Sequence, residues 1–374
     1  MIGALSIPAE AAAAITLALR ALTALLVGGT LLSLVRRGEW WIRVWDFPRL
    51  QLGAIGIALS VSMAALAFAT TWNAPTMIFV AIAALAGFWQ LSHVIRYSPL
   101  RPVRVPGCKE RDFRLVVSNL EVGNARKAEV ARTLTRAEPE ALLLLEIDAE
   151  WKQAMSALRS RFRWHVEEIA PEGLGMALWS NLPVIDPQVR FLVSERRPSI
   201  HAILELPDGR RVRFVGLHPA PPALPKPDRP KRYDSRIRDA ELVKVAQEAA
   251  DDDHRPWIVA GDFNDVAWSH TTRLFEEMSG LRDPRVGRCL LNTYHARRPL
   301  LRYPLDHIYL SPGFAVARIQ RFRAPGSDHF AVLADLRLEH AKPPRPSADA
   351  DDHREAETTL REGRRDADED GEAA

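Results

Sequence analysis

Apolar residues are spread unevenly along the chain. Three long runs, 11–35, 50–72 and 76–97, are almost free of charge, with Arg20 the one charged residue of the first and none in the second. Each is long enough for the roughly 20 apolar residues a bilayer crossing needs. A cleavable signal peptide has one short apolar region, which does not account for three. Past residue 112 the pattern changes to short apolar runs separated by polar turns and amphipathic segments. It predicts strands over 113–117, 141–145, 175–180, 200–206, 211–217, 257–260, 305–310, 316–322 and 330–336. Helices are expected over 125–136, 151–161, 235–250 and 271–278, and Asp208-Gly209 is a hairpin turn between two of the strands. Many strands mixed with a few helices and a hairpin indicate an α/β layered fold with mixed sheets, since a regular βαβ alternation is missing. From residue 341 onward large apolar residues all but vanish, so a disordered tail is expected. The division is a membrane region over 1–98, a proline- and arginine-rich linker over 99–111, a folded domain over 112–340 and a tail over 341–374.

Charge adds topology. The segment between the first two runs combines Trp40, Trp41 and Trp45 with Arg36, Arg37, Arg43 and Arg49, a composition suited to a headgroup interface. Arg96, Arg101, Arg104 and Lys109 follow the third run, whereas 71–75 between the second and third carries no charge. The positive-inside bias then puts the folded domain in the cytoplasm of a multi-pass membrane protein. A net charge of +3 is too small to argue for nucleic acid by itself, and Cys108 and Cys289 suit two unpaired thiols better than a disulfide framework or a zinc site.

The candidate chemistry sits at strand ends. The run Trp257 to Ala260 ends in Gly261-Asp262-Phe263-Asn264, where a carboxylate can polarise a water while an amide two residues on orients the reacting group. Other ends carry Asn119 with Glu121, Glu146, His218, Asp306 with His307, and Asp328 with His329. Oxygen donors of this kind suit a hard cation, Mg²⁺ with Mn²⁺ as a substitute, shared with a substrate phosphate. Lys231, Arg232, Arg236 and Arg238 form a basic cluster after His218, giving Arg232, Arg236 and Arg238 as candidate phosphate contacts. His307, Asp265 and Asn181 read as structural, and Asp251 to Asp253 as a solvated loop.

Six motifs now stand in order: Ser118-Asn119-Leu120, Leu144-Leu145-Glu146, Gly216-Leu217-His218-Pro219, Gly261-Asp262-Phe263-Asn264, Leu305-Asp306-His307-Ile308 and Gly326-Ser327-Asp328-His329-Phe330. Over about 112–338 the chain resembles the endonuclease/exonuclease/phosphatase superfamily, which includes DNase I-like nucleases, abasic-site endonucleases and inositol phosphate phosphatases. More narrowly, it is similar to a bacterial branch with transmembrane helices ahead of the catalytic domain. The resemblance implies a four-layer α/β sandwich, two mixed β-sheets flanked by helices, tethered to the inner membrane of a bacterium. It implies Glu146 as principal metal ligand, with Asn119 beside it and Glu121 adding a second carboxylate, although glutamate there departs from the family's occasional aspartate. Asp262 would activate the water, and Asn264 would hold the phosphate or the leaving oxygen. His329, oriented by Asp306, would contact a phosphate oxygen, His218 would bind phosphate from the other side, and Asp328 would approach the metal or steady its ligands.

The expected activity is Mg²⁺-dependent hydrolysis of a phosphoester by direct water attack. Nucleic acid, a phospholipid such as sphingomyelin, and a small phosphoester all remain open as substrates. No protein partner is evident in the sequence. The contrasting reading is a catalytically silent domain that recruits a partner to the membrane. A transporter is disfavoured, because the apolar runs hold no acidic residue to form an ion path.

Overall fold

The computed structural model describes residues 8–222 and 234–371. The chain divides into two compact units, 1–96 and 97–374.

The first unit is helical: α1 (Ala9–Leu32), the short α2 (Trp40–Arg43), α3 (Arg49–Ala69) and α4 (Ala74–Val94). The three long helices, α4 being continuous in length with the turn to Tyr97, are long and apolar enough to cross a membrane. Small residues let α3 and α4 approach closely, since a Cβ on Gly56 would lie 2.7 Å from the Gly87 Cα. Polar side chains inside the unit bond to one another. Arg20 donates to Thr76 Oγ1 at 3.0 Å, and Gln90 donates to Thr30 Oγ1 at 2.9 Å while accepting from Arg49 at 3.2 Å.

The second unit is built on two mixed sheets. The six-stranded sheet holds β1 (Phe113–Asn119), β2 (Ala141–Leu145), β3 (Trp164–Glu168), β4 (Met176–Ser180), β10 (Phe314–Arg323) and β11 (Phe330–Leu338). The five-stranded sheet holds β5 (Val184–Phe191), β6 (Pro198–Glu205), β7 (Arg211–Leu217), β8 (Trp257–Asp262) and β9 (Asp306–Leu310). Their orders are β10-β11-β1-β2-β4-β3 and β5-β6-β7-β8-β9. Among the described strands, only β1–β2 and β7–β8 pair in parallel, one such pair near the middle of each sheet.

Alternation along the strands makes the layers. Leu115, Val117, Leu143 and Leu145 pack against Ile200, Phe214, Ile258 and Ile308 between the sheets. Val116, Leu142 and Leu144 face outward under α5 (Lys127–Ala137), α6 (Ala149–Ala154) and α7 (Ser156–Arg159). Val215, Val259 and Tyr309 face outward under α8 (Arg236–Asp251) and α9 (His270–Ser279). The result is helix, sheet, sheet, helix, a DNase I-like fold.

Two strands escape the hydrophobic pattern, and both lie at sheet edges. β3 is only half-buried, and β5 is largely exposed, contains Pro187 and breaks register between Ile185 and Gln188. Edge strands need no alternating apolar face, and proline is tolerated there. The 151–161 helix is two short pieces, α6 and α7.

The tail requires a larger correction. Expected to be disordered over 341–374, it forms α10 (Ala350–Asp370), opened by an Asp349/Asp352 capping box. Small residues do the docking: Ala356, Gly363 and Ala367 are buried, and a Cβ on Gly363 would lie 2.3 Å from the Ala240 side chain on α8. Asp366 pairs with Arg236 at 3.1 Å, and Glu355 pairs with His270 on α9. Close backbone approach and ion pairs supply the order that large apolar residues would otherwise provide.

Candidate active site

The strand pairing explains why residues distant in sequence meet. Asn119 is opposite Leu145 in the parallel β1–β2 pair, so Glu146 emerges one residue beyond it. Leu217 is opposite Gly261 in the parallel β7–β8 pair, so His218 and Asp262 leave the second sheet together. Asp262 is in turn opposite Asp306 in the antiparallel β8–β9 pair. Gly261 is required where it stands: its φ is 148°, and a Cβ would lie 1.9 Å from the Leu217 carbonyl oxygen. Glu146 and Asn264 both adopt positive φ, 62° and 52°. Such backbone is uncommon for residues with a side chain and recurs at functional sites.

One amide crosses between the sheets. Asn119 Nδ2 donates to Glu146 Oε1 at 3.0 Å and to Asp262 Oδ2 at 3.2 Å. Glu146 Oε2 also accepts from the Val122 N–H at 3.1 Å. His329 Nδ1 lies 2.8 Å from Asp306 Oδ2, and its Nε2 lies 3.5 Å from Asp262 Oδ2. The loop before β11 is pinned to β1, because Ser327 Oγ donates to the Asn119 carbonyl at 2.9 Å and accepts from the His329 N–H at 3.0 Å. The Tyr294 ring covers the His329 imidazole with centroids 4.9 Å apart.

Burial sets the electrostatics. It pushes the Asp262 carboxyl up to about 7, with His329 pulling down, Asp306 pushing further up and the Asn264 and Asn119 hydrogen bonds holding the anion. Burial works against a charged His329, yet Asp306 and Asp262 outweigh it and raise that imidazole to about 10. The direction is consistent: a protonated His329 imidazole beside a buried Asp262 whose carboxyl is hard to ionise. His218 is held well below its usual range by burial, then by Arg197 and His329, and its Nδ1 is buried without a hydrogen-bond partner among the described residues.

Asn119, Glu146, Asp262, Asp306 and His329 therefore come together as the motifs implied, with His218 beside Asp262. Asn264 lies at the rim, its side chain donating to the Pro219 carbonyl at 2.9 Å and its N–H to Asp262 Oδ1 at 2.9 Å. Other expected residues do not fit their roles. Glu121, expected as a second metal carboxylate, spends both oxygens on Arg297 at 2.8 and 2.9 Å and also accepts the Asp328 N–H at 3.0 Å. Asp328 stands beside that ion pair, its carboxyl raised by burial. Arg236 and Arg238, expected to touch substrate, are turned inward. Arg236 pairs with Asp234 and Asp366, while buried Arg238 pairs with Asp239 and Asp265 and donates to the Asn264 carbonyl at 2.8 Å. Helix α8 is docked on two sides, so its arginines serve packing rather than solvent. Arg232 lies outside the described residues. His307 and Asp265 bond elsewhere: His307 Nε2 lies 2.9 Å from the Asp265 carbonyl oxygen, and the Asp265 carboxylate accepts from Ser269 at 2.7 Å.

One basic residue went unnoticed in the sequence. Arg197 precedes Pro198 at the start of β6, and continuing the antiparallel β6–β7 register from Ile200–Gly216 sets that start opposite His218. Burial depresses the Arg197 guanidinium, while Glu241, Glu146 and Asp262 act the other way, which brings a cation to the acidic hollow. Its only sequence signal was an Arg-Pro step ahead of a strand.

The donor set suits a hard divalent cation. Atoms of Asp262, Asp306 and His329 lie within 4.8 Å of one another, and Asp306 Oδ1 is buried without a hydrogen-bond partner among the described residues; with His329 protonated, the carboxylates are what a cation would meet. Glu146 and Asn119 join this group directly through the bridging amide. Three carboxylates in one hollow, Glu146, Asp262 and Asp306, fit a hard divalent cation better than a softer metal.

The model of the Endonuclease/Exonuclease/phosphatase family matches residues 116–329. Among solved structures, the chain is similar to an endonuclease/exonuclease/phosphatase from Bacteroides vulgatus, with 17% identity over 61% of this chain and 99% of that one and a TM-score of 0.48. It is also similar to one from Beutenbergia cavernae, with 19% identity over 62% of this chain and 73% of that one, TM-score 0.48. The human Nocturnin catalytic domain with bound sulfate anion gives 17% identity over 64% and 99% of the two chains, TM-score 0.49. A comparison with curated protein sequences finds no match.

Proposed function

The chain belongs to the Endonuclease/Exonuclease/phosphatase family, and from that premise we propose a membrane-anchored, Mg²⁺-dependent hydrolase of phosphoester bonds acting by direct attack of water. The observation that carries the reading is the Asn119 amide, which joins Glu146 of one sheet to Asp262 of the other, with His329 held against Asp262. When bound, the cation would be held by Glu146, with Asn119 beside it, and would supply positive charge for the phosphate oxygens. Asp262 accepts the proton of the attacking water, a role suited to a carboxyl raised to about 7. Asn264 orients the phosphate at the rim. His329, kept protonated by Asp306, donates to a phosphate oxygen as negative charge builds there. Neutral His218, with Nδ1 uncommitted, and Arg197 meet the phosphate from the side of the second sheet.

The three candidate spans favour a phosphoester presented at a bilayer, and the positive-inside bias supports a cytoplasmic catalytic unit at a bacterial inner membrane. The nucleic-acid reading loses part of its basis, because Arg236 and Arg238 are engaged inside the protein. A purified sample offered plasmid DNA, sphingomyelin and an inositol phosphate separates the substrate classes, and cleavage of DNA alone would defeat the lipid reading. Glu146→Ala and Asp262→Ala are each expected to abolish turnover without unfolding the chain. A domain that neither binds Mg²⁺ or Mn²⁺ nor turns over any substrate is instead a silent module that recruits a partner.

A further inference from the structure

A second polar network lies behind the site, and the roles above do not use it. Strand β9 delivers Asp306 to the site and His307 to the opposite side, as successive strand residues must. The His307 ring is buried beneath Phe263, with centroids 4.7 Å apart. Arg285 Nη2 lies 2.7 Å from His307 Nδ1, and His307 Nε2 lies 2.9 Å from the Asp265 carbonyl oxygen. A guanidinium only donates, so Nδ1 accepts, the ring proton sits on Nε2 and Nε2–H donates to Asp265. Arg285 Nη1 donates to the Asp306 carbonyl at 3.1 Å, and its Nε and Nη2 donate to Asp283 at 2.8 to 3.1 Å.

Arg285 and Asp283 form a wholly buried ion pair, with side chains 3% and 0% exposed. Such a pair adds little net stability, because desolvation offsets its attraction. Its geometry is informative for another reason: the donors not spent on Asp283 end on the backbone and ring of the 306–307 step. Through His307 they continue to Asp265, three residues past Asp262. The Asp265 carboxylate is itself fixed by Ser269 at 2.7 Å and Arg238 at 3.1 Å. One continuous strap thus runs from the segment carrying Asp306 to the segment carrying Asp262 and Asn264.

We infer that Arg285 and His307 are positioning residues, which set the separation of the two strand ends carrying Asp262 and Asp306 and so hold His329 between them. This rests on the hydrolase reading for its kinetic consequence, but not for its geometric one. Small displacements of reacting groups are costly, so His307→Leu and Arg285→Met should each lower kcat by about 10- to 100-fold with KM nearly unchanged. His307→Gln, whose amide carries one acceptor and one donor, should recover most of that loss.

The test uses the full chain in detergent micelles, with bis(p-nitrophenyl) phosphate as probe and thermal melts to confirm folding. The downfield proton NMR signal of the His329 ring N–H that donates to Asp306 is followed in the same samples. Loss or exchange broadening of that signal in His307→Leu, and its return in His307→Gln, is the expected result. A folded His307→Leu with wild-type kcat and an unchanged His329 signal would overturn the inference. Should His307→Leu fail to fold, a folded Arg285→Lys gives the same reading through the same two measurements. If the wild-type chain cleaves no probe, the hydrolase reading fails, and the His329 signal alone decides the inference.

Discussion

Asp262 and Asp306 are register partners across the β8–β9 ladder, and their carboxylates reach the two nitrogens of one imidazole, His329, at 3.5 and 2.8 Å. Neighbouring strands therefore form an Asp–His–Asp group without a designed loop. The only added element is the 324–329 turn, which Ser327 ties to the Asn119 carbonyl.

Removing the proton that His329 offers should be expensive. His329→Gln keeps one donor but no charge, and His329→Ala keeps neither. A preorganised donor to a developing oxyanion is worth about 100- to 1,000-fold in kcat, so His329→Ala should lose at least that and Asp306→Asn somewhat less. Initial rates on a phosphodiester probe check this, and equal rates for His329→Ala and wild type would remove the role.

Asn119 is expected to matter for stability as well as turnover. Asn119→Ala leaves Glu146 and Asp262 facing each other without the amide that serves both. Unmaking buried hydrogen bonds of this kind costs about 1–3 kcal/mol, and the thermal midpoint should fall accordingly. Added Mg²⁺ should restore part of the loss, since a cation replaces the missing positive edge. A midpoint unchanged by both substitution and cation contradicts the prediction.

The sequence made the inner half of this arrangement readable and hid the outer half. Strands β1, β2 and β8 are buried throughout and β7 over its last four residues, so they stand out as apolar runs, and the residues at or just past their ends meet in the candidate site. What the pattern could not carry is whether a charged side chain faces solvent. Arg236 and Arg238 look like a solvated basic face, yet α8 is covered by α10 and by the loop around Asn264. Glu121 has the right spacing for a ligand, and only the fold reveals Arg297 opposite it, 176 residues later. Helix α10 docks through alanine and glycine, whose low apolar content is what makes a segment read as disordered.

The α10 docking is testable at Gly363, where any side chain would meet Ala240 and the Arg236 carbonyl of α8. Gly363→Leu should lower stability by about 1–3 kcal/mol, the usual cost of overpacking. It should also increase protease cleavage within 341–371. Unchanged melting and cleavage would show that the tail contributes nothing to the fold.

Glu241, which interacts with Arg197, provides a pH dependence of stability. Burial raises its carboxyl to about 8, against the N–H groups of Ser194 and Val193 and the nearby Arg197. The unfolded chain releases this proton near the ordinary 4.5, whereas the folded chain keeps it until about 8. Between those values the folded state binds more protons than the unfolded one, so this group's contribution falls as pH rises. Glu241→Gln should therefore flatten the decline in stability between pH 4.5 and 8, and be relatively more stable than wild type at pH 8. Chemical denaturation at pH 5, 6.5 and 8 measures it, and parallel curves for the two proteins would refute the assignment.

The account depends most on the joint Glu146–Asn119–Asp262 cluster being a working cation and phosphate site. The most direct measurement is Mg²⁺ titration of the full-length protein by calorimetry, with hydrolysis of bis(p-nitrophenyl) phosphate followed in the same preparation, for wild type and Glu146→Gln. The account predicts saturable Mg²⁺ binding with activity rising along the same curve, both lost in Glu146→Gln. Hydrolysis that persists in Glu146→Gln, or that ignores Mg²⁺ in the wild type, would contradict it.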